Sequence, residues 1–123
     1  MLRNQLEQIL RVLEECWSEE TSSDYTPDLP SRGQGAVTAL FLQDLLGGEL
    51  LRTRVDQEWH YYNRIDGERV DCTVHQYRER VVYADERCPR TELEALVKPE
   101  ESMTLRREFF HRWLVTNSNR ASS

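Results

Sequence analysis

The sequence predicts an α+β fold in which a buried central helix packs on a small antiparallel sheet, within one compact domain spanning residues 1–123. Three observations lead to this prediction. A nearly continuous apolar run follows Gly35, short strand-like segments fill residues 49–75, and the other periodic segments show the three-and-four spacing of amphipathic helices. A chain of 123 residues can bury one core but is too short for two.

The first predicted element is an amphipathic helix within residues 1–17. Its apolar stripe consists of Leu2, Leu6, Ile9, Leu10, Leu13 and Cys16, with charged residues between them. Such a stripe indicates a helix that packs on the core by one face. The segment that follows, up to Arg32, is polar and contains Pro27 and Pro30, which predicts an extended loop.

Residues 33–48 predict the buried helix. Gly33-Gln34-Gly35 precedes it and Gly47-Gly48 follows it, which is typical of a turn into a helix and of a glycine C-cap. Few positions between these glycines are polar, so we expect the helix to lie at the centre of the domain. A simpler role for Gly33 and Gly35, as turn residues with positive φ, stays open.

Residues 49–75 predict strands at 49–55, 58–65 and 68–74, with Asp66-Gly67 as the turn of a hairpin. With that turn, Ile65 lies opposite Glu68, and His60, Tyr62, Asp71 and Thr73 share one face of the sheet. His60 and Asp71 are then diagonal neighbours, within reach of a hydrogen bond. Residues 91–116 predict two C-terminal helices, Thr91–Val97 and Leu105–Val115.

A histidine held by a carboxylate opposite the start of a buried helix is the arrangement that acyl transfer by a Cys–His–Asp triad requires. The helix dipole and the imidazolium stabilise a thiolate at the first helical position, and backbone N–H groups there can bind an oxyanion. The candidate base and orienting acid are His60 and Asp71. The first helical position is Gly35 rather than cysteine.

A wider set of residues carries a family resemblance between positions 17 and 77: Trp17-Ser18, Gly33-Gln34-x-Ala36-Val37-Thr38-Ala39-Leu40, Gln43-Asp44, Gly47-Gly48-Glu49, His60-Tyr61-Tyr62-Asn63, Asp66-Gly67 and Val70-Asp71-x-Thr73. This set resembles the YunG-like family of small bacterial proteins, which is similar to papain-like cysteine hydrolases in fold. The family pattern reads Gly-Gln-Cys-x-Val-Thr-Ala-Leu. The resemblance therefore implies that Gly35 occupies the nucleophile position, His60 that of the base and Asp71 that of the orienting acid, and that Gln34 lines the oxyanion site.

Other residues near these positions have different expected roles. Tyr62 shares the His60 face and could wall a substrate pocket, whereas Asn63 faces away and is expected to be structural. The same expectation holds for His75 and His111. No other thiol is expected to replace the nucleophile, since Cys72 alternates away from Asp71, Cys16 ends its helix, and Cys88 precedes a proline in a loop.

Composition and charge argue against several kinds of partner and cofactor. The net charge is −6 with acidic and basic residues interspersed, which argues against nucleic-acid binding. No apolar stretch is long enough for a membrane span and no signal-peptide pattern begins the chain, so a cytoplasmic protein is expected. Three cysteines without CxxC spacing argue against disulfides and zinc, and a metal site at His60, Asp71 and Asp24 lacks a short-spaced ligand pair. We expect no cofactor.

Three functions of different class remain open. The first is a cysteine-hydrolase-like enzyme that acts on an amide or peptide-like small substrate, here without its thiol because of Gly35. The second is a thiol-independent enzyme in which His60 and Asp71 perform acid–base chemistry, as a cyclase, lyase, isomerase or hydrolase. The third is a pseudoenzyme that binds a ligand in the cleft. Composition and spacing leave the oligomeric state open.

Overall fold

The structure, a computed structural model, describes residues 3–121. Over these residues the fold is α+β, with four α-helices and one four-stranded antiparallel sheet. The helices are α1 (Arg3–Cys16), α2 (Gly35–Leu46), α3 (Arg90–Leu96) and α4 (Pro99–Ala121). The strands are β1 (Glu49–Val55), β2 (Glu58–Ile65), β3 (Glu68–Val70) and β4 (Glu86–Arg87), and Val74–Gln76 forms one 3₁₀ turn.

Helix α2 is the central element, as predicted. Its first eight residues are nearly all buried, because helices contact it from one side and the sheet from the other. The helix ends at Gly47, whose φ of 76° is readily adopted by glycine and whose N–H donates to the carbonyl of Gln43. The glycine C-cap expected from the sequence is therefore present.

The sheet has the strand order β3-β2-β1-β4. Strands β2 and β3 form the predicted hairpin, in which Ile65 pairs with Glu68 and Asn63 pairs with Val70. Both turn residues, Asp66 and Gly67, have positive φ, at 52° and 79°, as a two-residue hairpin turn requires. The register predicted from Asp66-Gly67 is therefore correct as far as the hairpin extends.

The third strand is shorter than predicted. We expected it to continue to Val74, but β3 ends at Val70, and Val74–Gln76 turns into a 3₁₀ helix instead. Thr73 has φ −104° and ψ 11°, which is outside the β region. The predicted register would have continued with Tyr62 opposite Asp71 and His60 opposite Thr73, but neither pair forms. Asp71 reaches His60 from an irregular segment rather than from a strand.

Two groups of buried side chains hold the layers together. One joins α1, α2 and α4 with the β2–β3 hairpin: Ile9, Val12, Leu13, Cys16, Trp17, Val37, Phe41, Leu42, Ile65, Val70, Leu105 and Phe109. The other joins α2, β1, β2 and α3: Ala39, Leu40, Leu50, Tyr61 and Leu93. Burying a large apolar side chain contributes about 1.5–3 kcal/mol each, so these two groups fix α2 against the sheet.

The C-terminal helices begin earlier than predicted. Helix α3 starts at Arg90, and α4 starts at Pro99 rather than Leu105. Proline suits the first helical position, and the carboxylate of Glu101 accepts a hydrogen bond from the N–H of Lys98, which satisfies a donor at the helix start. Although α4 has 23 residues, no helix within residues 3–121 is apolar enough along its length to cross a membrane.

Candidate active site

The start of helix α2 faces the side chain of His60. A Cβ atom built on Gly35 would lie 3.6 Å from the imidazole Nδ1 of His60, 3.6 Å from Oγ1 of Thr73 and 3.2 Å from the carbonyl oxygen of Tyr61. The contact with Tyr61 is tight but requires only a small shift of the neighbouring backbone. A side chain at position 35 would therefore be placed directly beside the imidazole.

The backbone at Gly35 does not require glycine. Gly33 has a φ of 74°, so its predicted role as a turn residue is correct, whereas Gly35 is in the first turn of α2 and its φ is not positive. A cysteine or another L-residue can adopt the helical conformation without strain. The turn explanation offered for both glycines consequently holds for Gly33 alone.

His60 and Asp71 form a buried pair. Nε2 of His60 lies 2.7 Å from Oδ2 of Asp71, and the two side chains are 1% and 4% exposed. If Nε2 carries the proton that the carboxylate accepts, Nδ1 is left as an unprotonated acceptor that faces position 35. The predicted contact between His60 and Asp71 is thus present, and it leaves Nδ1 as the ring nitrogen that faces position 35.

Two tyrosine rings enclose the imidazole. The ring of Tyr62 stacks on His60 with a centroid distance of 5.6 Å, and Tyr77 meets it edge-on at 4.9 Å. Tyr62 is buried behind His60, and its hydroxyl donates to Asp85. It therefore supports the imidazole from behind, whereas Tyr61 and Tyr77 line the cleft in front.

Asp71 has a further partner that sequence reasoning missed. The hydroxyl of Tyr83 donates to Oδ2 of Asp71 at 2.8 Å, and Oγ1 of Thr73 lies 3.4 Å from Oδ1. Burial and this bond to an anion raise the pKa of Tyr83, so the phenol keeps its proton as the donor. Tyr83 lies in a segment with no periodic pattern, and its sequence carries no signal for this contact.

Gln34, predicted for the oxyanion site, is fully buried at the N-cap of α2. Its Oε1 accepts a hydrogen bond from the hydroxyl of Thr21, and its Nε2 lies 3.4 Å from the carbonyl oxygen of Ser18. Nearby, the indole Nε1 of Trp17 donates to Oγ1 of Thr38. These bonds tie the loop after α1 to the first turn of α2, so Gln34 holds the helix start in place.

A cleft of about 470 Å³ opens in front of this pair. Its lining includes Gly35 and His60, the aromatic residues Trp59, Tyr61 and Tyr77, and the charged residues Asp24, Arg32 and Glu58. The first N–H groups of an α-helix have no partner within the helix, so the start of α2 can offer donors to an anionic group in the cleft. The cleft thus brings together the imidazole of His60, backbone donors at the helix start and a mainly polar lining.

The three thiols lie outside this arrangement. Burial raises the pKa of both Cys16 and Cys88 to about 11, and burial together with the nearby Asp71 raises that of Cys72. A high pKa disfavours the thiolate, which is the reactive form. Within the described residues, no three His, Cys, Asp or Glu side chains are grouped so that they could hold a metal ion.

The other residues that the sequence analysis assigned to structural roles, Asn63, His75 and His111, lie outside the cleft. Asn63 is buried on the other face of β2, where its Nδ2 donates to the carbonyl of Ala39 in α2. His75 and His111 are exposed. Of the residues singled out from the sequence, Gly35, His60 and Asp71 therefore come together at one place, with Tyr62 behind them and Gln34 beside the helix start.

Comparison with known proteins identifies the family. The family model described as YunG protein matches residues 5–113. A protein of Bacillus subtilis (strain 168), named as uncharacterized protein YunG, is 39% identical over 108 residues, which cover 87% of this chain and 92% of the relative. No solved structure shows a significant match. The chain thus belongs to the YunG family.

Proposed function

We propose that this chain has the active-site framework of a papain-like cysteine hydrolase that acts on an amide or peptide-like small substrate, with residue 35 as the nucleophile position. The observation that carries the proposal is the distance of 3.6 Å between Nδ1 of His60 and a Cβ atom at Gly35. A thiol on that Cβ would be within reach of the imidazole that Asp71 holds from the other side.

Each group has a defined task in this chemistry. His60 would take the proton of the thiol at Nδ1, and Asp71 would stabilise the resulting imidazolium. The partial positive charge at the start of α2 would favour the thiolate, and its free N–H groups would bind the oxyanion of the tetrahedral intermediate. In this chain the attacking sulfur is absent, so the covalent step requires a cysteine at position 35.

The test introduces the thiol. Gly35→Cys is treated with iodoacetamide from pH 5 to pH 9, and the labelled peptide is followed by mass spectrometry, alone and in combination with His60→Ala. A free thiol of pKa about 8.5 is less than about 1% ionised at pH 6, so fast labelling there requires a lowered thiol pKa, and its loss in His60→Ala would assign that lowering to the imidazolium rather than to the helix start alone. We expect fast labelling of Cys at position 35 near pH 6 and its loss when His60 is removed.

Labelling that does not depend on His60 would contradict the proposal. If labelling of the introduced thiol increases only towards pH 8.5, with and without His60, the site is not organised for a thiolate–imidazolium pair. Gly35→Ser serves as a matched control, because it adds a side chain of similar size that iodoacetamide does not modify. The native thiols act as internal controls within each sample.

A second candidate is thiol-independent acid–base catalysis by His60. The observation in its favour is that the imidazole lines the cleft while Asp71 binds its far side, so Nδ1 can accept a proton from water or substrate. With the chain as it stands, loss of turnover in His60→Ala without any covalent adduct would support this function. Ligand binding that His60→Ala leaves unchanged would instead indicate a binding module.

A further inference from the structure

Tyr83 and His60 share one acceptor atom. Oδ2 of Asp71 accepts the hydroxyl hydrogen of Tyr83 at 2.8 Å and lies 2.7 Å from Nε2 of His60. Among the described residues, the other carboxylate oxygen has one side-chain contact, the long hydrogen bond of 3.4 Å from Oγ1 of Thr73. Besides His60, two side chains therefore contact the Asp71 carboxylate, and the hydrogen bond from Tyr83 is the shorter and stronger of the two.

The backbone around Asp71 gives little support of its own. Strand β3 ends at Val70, so Asp71 is outside the sheet ladder and is followed by a turn. A carboxylate on such a segment can rotate unless its oxygens are held by fixed donors. The orientation of Asp71 towards His60 consequently depends on how firmly Tyr83 is placed.

Tyr83 is held from two sides. The residues that flank it are tied to β1, since Oγ1 of Thr53 donates to the carbonyl of Val82 and accepts from the N–H of Ala84. The guanidinium of Arg69 lies 4.1 Å above the ring of Tyr83. Arg69 itself is fixed by two hydrogen bonds to the carboxylate of Asp85.

We propose that Tyr83 is a positioning residue of the candidate site, which holds the Asp71 carboxylate so that it binds Nε2–H of His60 and leaves Nδ1 unprotonated towards position 35. This inference rests on the proposed function. The other titratable groups around the imidazole are Tyr62 and Tyr77, and the charged groups near it are Asp24, Arg32 and Glu58 in the cleft and Arg69 and Asp85 behind Tyr83.

The experiment compares Tyr83→Phe with Tyr77→Phe. Each variant removes the hydroxyl of a tyrosine close to the His60–Asp71 pair, but in the described structure only the hydroxyl of Tyr83 binds Asp71, so Tyr77→Phe is the matched control. The ring nitrogens of His60 are observed by 15N NMR in the neutral imidazole, where the chemical shifts report which nitrogen carries the proton. We expect Tyr83→Phe to lower the share of the Nε2–H tautomer and Tyr77→Phe to leave it unchanged.

A second readout uses the introduced thiol. In the Gly35→Cys background, Tyr83→Phe should slow iodoacetamide labelling near pH 6 by roughly tenfold, the lower end of the effect that outer hydrogen-bond partners have at metal sites. Urea unfolding is measured in parallel. A lower unfolding midpoint with an unchanged tautomer and labelling rate would overturn the proposal, because it would mean that Tyr83 is only structural.

Asp71→Ala separates the two proposals, because it removes both carboxylate oxygens, whereas the amide oxygen of an asparagine could still accept from Nε2–H. If it changes the His60 tautomer while Tyr83→Phe does not, the role of Tyr83 is wrong and the proposed function stands. If Asp71→Ala also leaves the tautomer unchanged, the pairing of Asp71 with His60 is wrong, and both proposals are overturned. A change in Asp71→Ala and Tyr83→Phe, but not in Tyr77→Phe, supports both.

Discussion

His60 Nδ1 and the missing side chain of Gly35 face each other across 3.6 Å, measured to the position of a Cβ atom. The same imidazole binds Asp71 through Nε2, so its two nitrogens have different surroundings, one buried against a carboxylate and one directed at a helix start. This division of the ring is the basis of the proposed chemistry. Because Nδ1 faces position 35, the reactivity of the thiol in Gly35→Cys reports directly on the imidazole.

Gly35→Ala should be tolerated. Alanine has a higher helix propensity than glycine, which stabilises the fold, but its Cβ would lie 3.2 Å from the carbonyl oxygen of Tyr61, which must move slightly. Because the two effects oppose each other, we expect a change of less than about 1 kcal/mol in the free energy of unfolding. Gly33→Ala is the contrasting variant, since its Cβ would lie 2.6 Å from Oγ of Ser22 at a φ of 74°. Gly33→Ala should therefore lower the free energy of unfolding clearly more than Gly35→Ala does.

Urea unfolding followed by circular dichroism measures both variants. An equal loss of stability in Gly35→Ala and Gly33→Ala would contradict the view that position 35 has room for a side chain. It would also weaken the alkylation experiment, because that experiment depends on a folded Gly35→Cys.

The native thiols should react slowly in the folded chain. Because burial raises the pKa of Cys16 and Cys88 to about 11, the thiolate fraction stays small at neutral pH and grows only as the pH approaches that value. We expect slow iodoacetamide labelling at pH 7 that accelerates through pH 10. In urea, all three cysteines should label as free thiols do. Rapid labelling of any native thiol at neutral pH in the folded chain would refute the prediction.

Asn63 should stabilise the contact of α2 with the sheet. Its buried Nδ2 donates to the carbonyl of Ala39 at 3.0 Å, and Asn63→Ala removes both this bond and packed volume. We expect a loss of about 1–3 kcal/mol in the free energy of unfolding. The control is Asn117→Ala, which removes the same type of bond, to Trp113, at a half-buried position of α4 and should cost less than about 0.5 kcal/mol. Similar small losses in the two variants would argue against the buried role of Asn63.

Asp85 should make stability depend on pH in the acid range. Hydrogen bonds from Arg69 and Tyr62 hold the pKa of the Asp85 carboxyl below its usual range. A lowered pKa means that the carboxylate stabilises the fold above its unfolded pKa of about 4, and that this contribution is lost as the pH falls through the lower folded value. The stability difference between the unmodified chain and Asp85→Asn should therefore be largest near pH 7 and shrink below about pH 4.

The measurement for Asp85 is the urea midpoint at a series of pH values. Glu19→Gln, at an exposed position in the loop after α1, is the control for loss of one negative charge. A difference between the unmodified chain and Asp85→Asn that stays constant from pH 7 to pH 3 would show that ionisation of Asp85 does not contribute.

Local patterns in the sequence determined a large part of the fold. The apolar stripe before Cys16, the apolar run between Gly35 and Gly47, and the Asp66-Gly67 turn predicted α1, α2 and the β2–β3 hairpin, because each signal depends on residues close in sequence. The hairpin register also placed His60 near Asp71. That contact survives the early end of β3, since the carboxylate needs to reach the imidazole but does not need a ladder pair.

Only the tertiary structure decided what surrounds this pair. Tyr83 reaches Asp71 from an irregular segment, and the two-residue strand β4 forms by pairing with β1. The direction of a side chain at position 35 depends on how α2 packs against β2. None of these features has a periodic signal, because they arise from contacts between segments that are distant in sequence. The sequence thus determined the helices, the hairpin and the candidate residues, while long-range packing decided which atoms of those residues meet.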